Sequence, residues 1–479
     1  MDSLPQPQNA QDRYLLEEVL VVARQHPFYN SSIRFPPTAQ EVVSLIRDPS
    51  VTLSKLELQS FPVISKAGLN PIIQRLCESR ERENTFKHAA YFSMTGGGSG
   101  KGMPMPFVTD SWENRTQRRI YGELLSQLRI IEPGDVAISI NKCGFIYRPL
   151  DLMCEVIEYA GGSPLPAGNV MPHDKVAAAC KTFVPNILVG GPAELTQFSK
   201  DVAFRGSTDK QTNIFFNKIL FASEGLTTTQ EEFLTHVFAK PGADLNFCSI
   251  YGSAETGLWA ASNPEIVRSP IKGCRDFIFD TRNMIVELHY ADGRMIQMDD
   301  ALDFEEPGVP GRLIVTSLQK LRHPLVRYDT GDKGSIHRLP SSAYDQIEGH
   351  VDSLRVLRLH GRDTEASFEW QGHYYDLSET QQFFDDPKLG VLKWQIVLAE
   401  HEENIGTHSL EVRLLLPSEG VDETNLLRRL KDFFHVPMAL EYLFRVSKVR
   451  LDALEKSETG GKVIKVVDLR KKSNADSSR

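Results

Sequence analysis

Hydrophobic and polar residues follow two different periods along the chain, and these periods divide the sequence into regions. Between residues 109 and 260, short apolar runs typical of buried strands alternate with stretches of helical spacing. The strands are predicted at GDVAISI (134–140), SPLPAG (163–168), PNILVGGP (185–192), NKILFASEGL (217–226) and LNFCSIYGSAETG (245–257). Strands that alternate with helices in this way predict parallel sheets with helices on their faces.

The pattern after about residue 275 indicates a different architecture. The segments MIVELHY, GRLIVTSL and LVRYDTGDKG predict strands joined by turns, as in a meander or a small barrel. From Gly361 onward, further helical and strand-like segments predict a small α+β domain of ordinary size. We therefore expect an α/β fold of two domains. Residues 1–360 would form a large domain of parallel α/β sheets with a small β-barrel-like subdomain, and residues 361–479 a small, mobile α+β domain.

Composition and charge narrow the class of protein. The chain has 479 residues, of which 41% are hydrophobic and 24% charged, as in an ordinary soluble globular protein. Its net charge of -9 argues against nucleic acid as the main partner. No apolar run is long enough to span a bilayer, and the first residues lack the pattern of a secretory signal. The six cysteines show no zinc-binding spacing, which favours reduced thiols in a cytoplasmic protein.

A glycine-rich stretch, SMTGGGSGKGMPMP (93–106), is a clear candidate for a ligand site. Its five glycines follow an apolar strand, and glycines clustered in this way let a ligand approach the backbone closely. The stretch does not fit a Walker loop, which requires glycine at position 95 and serine or threonine at position 102. The residues at these positions are Thr95 and Gly102.

The segment TGGGSGKG (95–102) instead resembles the phosphate loop of the adenylate-forming enzymes, whose common form is TSGTTGKP. In such a loop, backbone NH groups and a hydroxyl hold the phosphates of ATP. The resemblance assigns nucleotide binding to Thr95, Gly97, Ser99, Gly100 and Lys101.

A second stretch, YGSAETG (251–257), resembles the YGxTE signature of the same family. The resemblance implies that Glu255 holds magnesium and takes part in catalysis, and that Tyr251 stacks near the adenine. It also assigns Gly252 and Ser253 to the nucleotide. Alanine at position 254 replaces the usual threonine or serine and removes one hydroxyl from the phosphate side.

Two further segments follow in the order of the family's motifs. FASEGL (221–226) stands where the family has its adenine-contacting turn, which assigns Ser223 and Glu224 to the nucleotide. RYDTGDKG (327–334) resembles the YRTGD signature, and the resemblance implies that Asp332 accepts hydrogen bonds from both ribose hydroxyls. A fixed carboxylate suits this task because it accepts two strong hydrogen bonds.

The segment HGRDTEASFEWQGHYYDLSE (360–379) resembles the hinge motif of the family and assigns Arg362 to the nucleotide. Thr364 stands where the hinge aspartate is expected, and the internal lysine of the motif is absent from the segment. These departures leave the rotation of the small domain open.

The C-terminal segment ETGGKVIKVVDLR (458–470) resembles the end of one branch of the family. The resemblance implies that Lys462 is the catalytic lysine, whose ammonium reaches the carboxylate substrate and the α-phosphate. Lys456 and Lys465 are rival candidates in the same basic segment.

Three other segments point to one branch of the family. HPFY (26–29), FPVISKAGL (61–69) and ILVGGPAEL (187–195) resemble the phenylacetate–CoA ligase group. The resemblance covers roughly residues 14–470. It is specific in the nucleotide motifs and weak in the predicted small domain.

The branch suggests where an acyl group would bind. The candidate pocket residues are Phe145, Tyr147, Gly190 and Trp259, which would form an apolar, aromatic site. An aryl or arylacetic acid suits such a site, and a medium aliphatic or amino acid is the alternative. The aromatic residues could equally belong to the core.

The resemblance implies a reaction in two halves. A small carboxylic acid attacks Mg-ATP to give an acyl-adenylate and pyrophosphate, and coenzyme A then takes the acyl group. The implied cofactors are ATP, Mg2+ and coenzyme A. An amine or the thiol of a carrier protein is the alternative acceptor. A further alternative is a nucleotide-binding protein that has lost catalysis, which ATP–pyrophosphate exchange would distinguish from the enzymes.

Overall fold

The computed structural model describes most of the chain. The described residues are 13–48, 56–94, 106–144, 146–206, 214–222, 225–271, 274–362, 367–370, 373–400, 408–417, 421–436, 438–457 and 461–470. Their helices are α1 (Leu16–Arg24), α2 (Ala39–Arg47), α3 (Lys66–Glu78), α4 (Ser111–Gln127), α5 (Pro149–Tyr159), α6 (His173–Phe183), α7 (Pro192–Gly206), α8 (Thr228–Phe238), α9 (Leu377–Phe384) and α10 (Glu423–Phe433). Their strands are β1 (Ile64–Ser65), β2 (Ala90–Met94), β3 (Pro106–Asp110), β4 (Val136–Ser139), β5 (Ser163–Pro166), β6 (Ile187–Gly190), β7 (Lys218–Phe221), β8 (Asn246–Ser253), β9 (Gly257–Ser262), β10 (Arg275–Asp280), β11 (Met284–His289), β12 (Met295–Gln297), β13 (Gly311–Ser317), β14 (Tyr328–Arg338), β15 (Leu354–Arg362), β16 (Ser367–Trp370), β17 (His373–Asp376), β18 (Lys393–Glu400), β19 (His408–Leu415), β20 (Phe444–Lys448) and β21 (Val466–Asp468).

One half of the large sheet is parallel, as the alternation of strands and helices predicts. Its strand order is β5-β4-β6-β7-β8, and α5 to α8 are the helices between successive strands. Along β6, Ile187 and Val189 belong to the core beneath α4 and α5, whereas Leu188 belongs to the core beneath α6, α7 and α8. Because successive side chains point to opposite faces, a continuous apolar strand is buried on both sides.

The other half of the same sheet is antiparallel. β9 pairs with both β8 and β10, and the order then continues as β15-β14-β13-β11-β12, so that the strands predicted after residue 275 extend the parallel sheet. The short strand β1 pairs in parallel with β14, and α3 follows it directly. Phe277 and Phe279 of β10 pack with Ile73 and Leu76 of α3 on one face. The mixed α/β fold class is therefore confirmed.

The C-terminal part has a separate sheet of four strands in the order β20-β19-β18-β21, and β16 and β17 pair only with each other among the described strands. The helices α9 and α10 share its core, where Phe384 stacks on Trp394 at 4.6 Å between ring centroids and Leu430 is fully buried. Gly361, the predicted domain boundary, lies within β15 and has a φ of 118, which glycine adopts readily. The division into residues 1–360 and 361–479 stays a prediction.

The two sheets are joined by a small apolar contact. Ala193 at the start of α7 clusters with Leu392, Leu454 and Val463, and Gln230 Nε2 donates to the Leu392 carbonyl over 2.6 Å. This contact brings the segment before β21 against the large sheet. Among the described helices, none combines the length and the apolar character required to cross a membrane.

Candidate functional site

A cleft with a cavity volume of about 2400 Å³ lies where the chain leaves the parallel strands. Its lining includes residues that follow or end four of these strands: Asn141, Gly191, Ala222 and Ser253. Ligands of open α/β sheets bind outside the carboxyl ends of the strands, and this cleft has that position. The lining also includes 251–257, 328–332, 359–361 and 462–468, so four separate sequence motifs meet here.

The turn between β8 and β9 carries Glu255 on a backbone that is fixed by its neighbours. The hydroxyls of Ser253 and Thr256 lie 3.1 Å apart, and each accepts a backbone NH of the other residue. Gln117 of α4 donates to the Thr256 carbonyl over 2.9 Å. Gly257 has a φ of 74, and a Cβ added there would lie 2.0 Å from Gln117 Oε1. Glycine is therefore required by both the turn and the close packing.

Two lysines contact Glu255 from different sides. Its carboxylate is 4% exposed and lies 3.4 Å from Lys66 Nζ, measured to Oε1. Lys66 begins α3, and the pairing of Ser65 with Asp329 places it at the cleft. On the other side, Lys320 Nζ donates to the backbone carbonyl of Glu255. A buried carboxylate that lines the cleft is a candidate ligand of a divalent ion. Lys66 beside it is a candidate for binding a phosphate.

Burial shifts the pKa values of two groups below this turn. The pKa of the Lys320 ammonium is lowered to about 8 by burial, which the charges of Glu113 and Glu255 partly oppose. The pKa of Glu113 is raised to about 8 by burial and by the nearby Asp110, although backbone NH groups of the 321–322 segment donate to it. Burial therefore disfavours the charged form of both groups.

Tyr251 and Asp332 come from two different motifs and meet in the cleft. The Tyr251 hydroxyl donates to Asp332 Oδ2 over 2.6 Å. The Tyr251 ring lies 5.3 Å from Trp259 and 5.3 Å from Phe277, measured between ring centroids. The backbone NH of Asp332 donates to the Thr330 hydroxyl over 3.1 Å, which helps to fix the carboxylate. A ring beside a fixed carboxylate suits a nucleoside, with a base on the ring and a ribose on the carboxylate.

Lys462 lies on a short loop at the edge of the cleft. Its NH donates to Ser457 Oγ over 3.1 Å, and its carbonyl accepts the Ser457 NH over 2.8 Å. The adjacent Gly461 is so close to Lys142 that an added Cβ would lie 3.1 Å from Lys142 Nζ. Lys465 also lines the cleft, with its ammonium 4.3 Å from the centroid of the Trp394 ring. Lys456, the other rival candidate, is not among the described residues that line the cleft.

The predicted acyl-pocket residues differ in position. Tyr147 lines the cleft, and Trp259 lines it only marginally, because it is 3% exposed and packs in the core. Gly190 lies beneath the cleft, where an added Cβ would be 3.0 Å from Ile140 Cγ1, whereas Gly191 reaches the lining. The aromatic pocket stays a prediction, and the described wall is more polar than that prediction implies.

The polar part of this wall comes from α4 and the segment before α5. Asn114 and Arg118 line the cleft together with Tyr91. The guanidinium groups of Arg118 and Arg148 lie 4.7 Å and 4.1 Å from the centroid of the Tyr91 ring. Arg118 also forms an ion pair with Glu155 at 2.9 Å, which balances its buried charge.

Several predicted site residues fall outside the described part of the chain. These are Thr95, Gly97, Ser99, Gly100, Lys101, Phe145, Ser223 and Glu224. The ends of the glycine-rich stretch are described: β2 and β3 pair as an antiparallel hairpin, and Ser93 lines the cleft. Ala222 and Gly225, on either side of Ser223 and Glu224, line it as well. Arg362 ends β15 opposite Asp332 in the register of the sheet.

Comparison with known proteins was informative at the level of structure alone. No protein-family model matches the chain, and no curated protein matches it. Two similar solved structures are those of a 2-hydroxyisobutyryl-CoA ligase in the postadenylation state, in complex with 2-HIB-AMP (TM-score 0.61) and with R3-HIB-AMP (TM-score 0.60). Each is 14% identical in sequence, and the match covers 94% of this chain and 87% of that chain.

An open conformation of the same ligase, in complex with 2-HIB-AMP and CoA, matches 98% of this chain and 96% of that chain at a TM-score of 0.53. The chain has the fold of the adenylate-forming enzymes. The match spans both sheets, so the adenylate-forming fold accounts for the large and the small part of the chain together. It confirms the fold that the motif order predicted, without distinguishing the branch.

Sequence reasoning missed three residues that the structure places around Glu255. Lys66 stands in a segment that resembles one branch of the family, and a lysine at the start of a helix carries no further signal. Lys320 and Gln117 had no signal of their own, because their importance depends on burial and on contacts across 65 and 139 residues.

Proposed function

We propose that the protein is an ATP-dependent carboxylate ligase that activates a carboxylic acid as an acyl-adenylate. The observation that carries the proposal is the hydrogen bond of 2.6 Å between Tyr251 and Asp332, in a cleft that Glu255 and Lys462 also line. Three motifs distant in sequence thereby supply a ring, a carboxylate for a ribose, an acidic ligand and a cation to one cavity.

The nucleoside would occupy the Tyr251 end of the cleft. Asp332 would accept hydrogen bonds from the ribose hydroxyls, and the Tyr251 ring would lie beside the base. Arg362, opposite Asp332 in the sheet, is proposed to contact the nucleotide as well. The triphosphate would then extend towards Glu255 and the hairpin of β2 and β3. Thr95, Gly97, Ser99, Gly100 and Lys101 are proposed to hold its phosphates, and Gly252, Ser253, Ser223 and Glu224 to complete the nucleotide site.

The residues around Glu255 fit a magnesium ion. Mg2+ is usually bound by one or two carboxylates together with substrate phosphates. The described residues contain no group of three or more His, Cys, Asp or Glu side chains that could hold a metal ion without substrate. Among the described residues, Lys66 lies 3.4 Å from the Glu255 carboxylate, and its side chain is 41% exposed and so accessible to a phosphate in the cleft. When bound, the ion neutralises phosphate charge. Lys66 would place a second cation at the same end of the triphosphate.

The first half-reaction joins two anions. A carboxylate oxygen forms a bond to the α-phosphorus while the bond from that phosphorus to the pyrophosphate oxygen breaks. Positioning and charge neutralisation therefore supply most of the acceleration. Lys462 is proposed to bind the substrate carboxylate and the α-phosphate together, because its loop holds it at the edge of the same cleft.

Coenzyme A is the proposed acceptor in the second half-reaction, in which its sulfur attacks the acyl carbonyl and AMP leaves. The likeness to a ligase solved with CoA supports this choice. An amine or a carrier-protein thiol is the alternative acceptor. The proposed acid is an aryl or arylacetic acid, with Phe145, Tyr147, Gly190 and Trp259 near the acyl group. Asn114 and Arg118, which line the same cleft, also suit an acid with a polar substituent. A cytoplasmic location and the two-domain division are part of the same proposal.

ATP–pyrophosphate exchange tests the proposal directly. The protein would be incubated with labelled pyrophosphate, Mg-ATP and a panel of aryl, aliphatic and amino acids, with and without coenzyme A. Exchange that depends on one class of acid is the expected result, and thioester formation in the coenzyme A arm would identify the acceptor. ATP binding without exchange for every acid would instead favour a nucleotide-binding protein that has lost catalysis.

A further inference from the structure

We propose that Lys320 is a positioning residue that fixes the backbone of Glu255 and thereby aims its carboxylate at the divalent ion. This inference rests on the proposed adenylation, because it assigns a role within the same site. Lys320 was not among the residues that the sequence motifs assign.

The first observation is the environment of the Lys320 ammonium. The side chain is 2% exposed, yet it reaches the lining of the cleft. Its described polar contacts are the Glu255 carbonyl and the Thr109 hydroxyl, the latter at 3.4 Å, and its third neighbour is the Phe107 ring at 4.9 Å from the centroid. All three partners are uncharged, and the carboxylates of Glu113 and Glu255 act on the ammonium without a hydrogen bond to it. A buried ammonium without a hydrogen-bonded carboxylate is costly, so stability alone does not explain why a lysine stands here.

The second observation is that the backbone of the lysine is held rigidly. Glu113 Oε1 accepts the NH groups of Leu321 at 2.7 Å and Arg322 at 3.2 Å, and Arg322 Nη1 donates to Asp110 over 3.1 Å. These contacts join the segment that follows β13 to the first turn of α4. Lys320 therefore reaches Glu255 from a fixed base rather than from a mobile loop.

The third observation concerns the turn that receives the contact. Gln117 holds the carbonyl of Thr256, and Lys320 holds the carbonyl of Glu255 one residue earlier. Two successive peptide groups are thus fixed from the protein side, which leaves the carboxylate of Glu255 to face the cleft and Lys66. Removing Lys320 would free one of these peptide groups and let the carboxylate shift. A displacement of about 1 Å in such a site can cost about 100-fold in rate.

Lys320→Met is the variant that separates positioning from stability. Methionine has similar length and no charge, so it removes the buried ammonium and fills most of the same space. Relief of the buried charge and loss of the hydrogen bond to the Glu255 carbonyl oppose each other, and we expect the thermal unfolding midpoint to change by only a few degrees. We also expect a loss of about 100-fold in kcat for exchange and a rise in the Mg2+ concentration needed for half-maximal exchange. Lys320→Arg keeps a cation and is expected to retain at least about tenfold more activity than the methionine variant.

Calorimetry supplies a readout that does not depend on finding the substrate acid. ATP affinity would be measured with Mg2+ and with EDTA for the wild type, Lys320→Met and the surface control Lys240→Met. The proposal expects Mg2+ to strengthen ATP binding in the wild type and in the control, and to strengthen it much less in Lys320→Met, with equal affinities in EDTA.

The outcomes of the two proposals are separate. If the wild type shows no ATP–pyrophosphate exchange with any acid, the result would count against adenylation. The difference in ATP affinity between Mg2+ and EDTA would still decide the role of Lys320. An unaltered Mg2+ response in Lys320→Met, a wild type whose ATP binding does not respond to Mg2+, or a variant that does not fold would each overturn the positioning role.

Discussion

Replacing Tyr251 by phenylalanine removes one hydroxyl, keeps the ring, and so isolates the contact between two motifs of the site. The hydroxyl donates to Asp332 Oδ2 over 2.6 Å, and a hydrogen bond to a charged acceptor typically contributes about 1.5–3 kcal/mol. The ring keeps its neighbours Trp259 and Phe277 in Tyr251→Phe, because both contacts involve ring carbons.

Only part of that energy should appear in ATP binding, because the contact is half-buried and water that enters the cleft can replace the lost donor. We take the lower figure, about 1.5 kcal/mol, which corresponds to about tenfold in a dissociation constant. Tyr251→Phe is therefore expected to weaken ATP binding about tenfold in titration calorimetry. The kcat for exchange at saturating ATP should change less, because Tyr251 lies at the nucleoside end rather than at the reacting phosphorus.

Two comparisons make this test specific. Tyr290→Phe removes a hydroxyl that donates to the exposed Val309 carbonyl over 3.1 Å, and it should leave ATP affinity unchanged. Tyr251→Phe introduced into an Asp332→Asn background should add little, because the two residues act through one hydrogen bond. An ATP affinity within about twofold of the wild type in Tyr251→Phe, or full additivity of the two changes, would refute the reasoning.

Three further predictions test other parts of the molecule. Lys462→Ala should raise the barrier to adenylation, measured by ATP–pyrophosphate exchange, by about 3–4 kcal/mol. ATP binding, measured by calorimetry, should be largely unchanged. Near-normal exchange in this variant, or an equal loss of exchange in Lys465→Ala, would contradict the assignment of Lys462. Gly257→Ala should lower the free energy of unfolding, measured in urea, by about 1–2 kcal/mol more than Gly293→Ala does. Both glycines have a positive φ, but only a Cβ at position 257 would clash with a neighbour. Equal losses in the two variants would disprove the clash. In Glu113→Gln, the thermal midpoint should fall less between pH 5 and pH 8 than in the wild type, and parallel curves would contradict the shifted pKa.

The sign of the last prediction follows from proton linkage. The pKa of Glu113 is raised from its ordinary 4.5 to about 8 in the folded protein, chiefly by burial. Between these values the folded state keeps a proton that the unfolded chain has released, so stability is fully present below about 4.5 and is lost as the pH rises through about 8. Glutamine has no such proton and retains the carbonyl that the 321–322 backbone needs.

The regular elements of this protein could be predicted from the sequence because each depends on local spacing. Along β6, an uninterrupted apolar run predicts a strand buried on both faces, and Ile187 and Leu188 indeed face different cores. Thr109 and Asp110 both offer a capping side chain before the helical pattern of α4, and the structure shows that Asp110 is the cap, accepting the NH groups of Trp112 and Glu113. The order of the nucleotide motifs likewise predicted the fold that the comparison confirmed.

The pairing of elements was beyond the reach of local spacing. The antiparallel strands after residue 275 were predicted as a meander or small barrel, and only the pairing of β9 with β8 and β10 decides that they continue the parallel sheet. The same pairing brings Tyr251 within 2.6 Å of Asp332, although 81 residues separate them in the chain. Register between distant strands depends on the packing of the whole sheet rather than on either strand alone.

By itself, then, the sequence determined the strands, the helices and the chemical groups offered to the cleft, because periodicity and motif spacing are properties of neighbouring residues. The tertiary structure alone decided which lysines contact Glu255, because nothing in the local sequence distinguishes Lys66 and Lys320 from other lysines. Burial and strand pairing bring both of them to Glu255. It also decided that Gly191 rather than Gly190 reaches the cleft. In each case the physical reason is that a contact between distant residues depends on how the faces of helices and sheets pack together. A shift of one residue along a strand turns every side chain to the other face of the sheet.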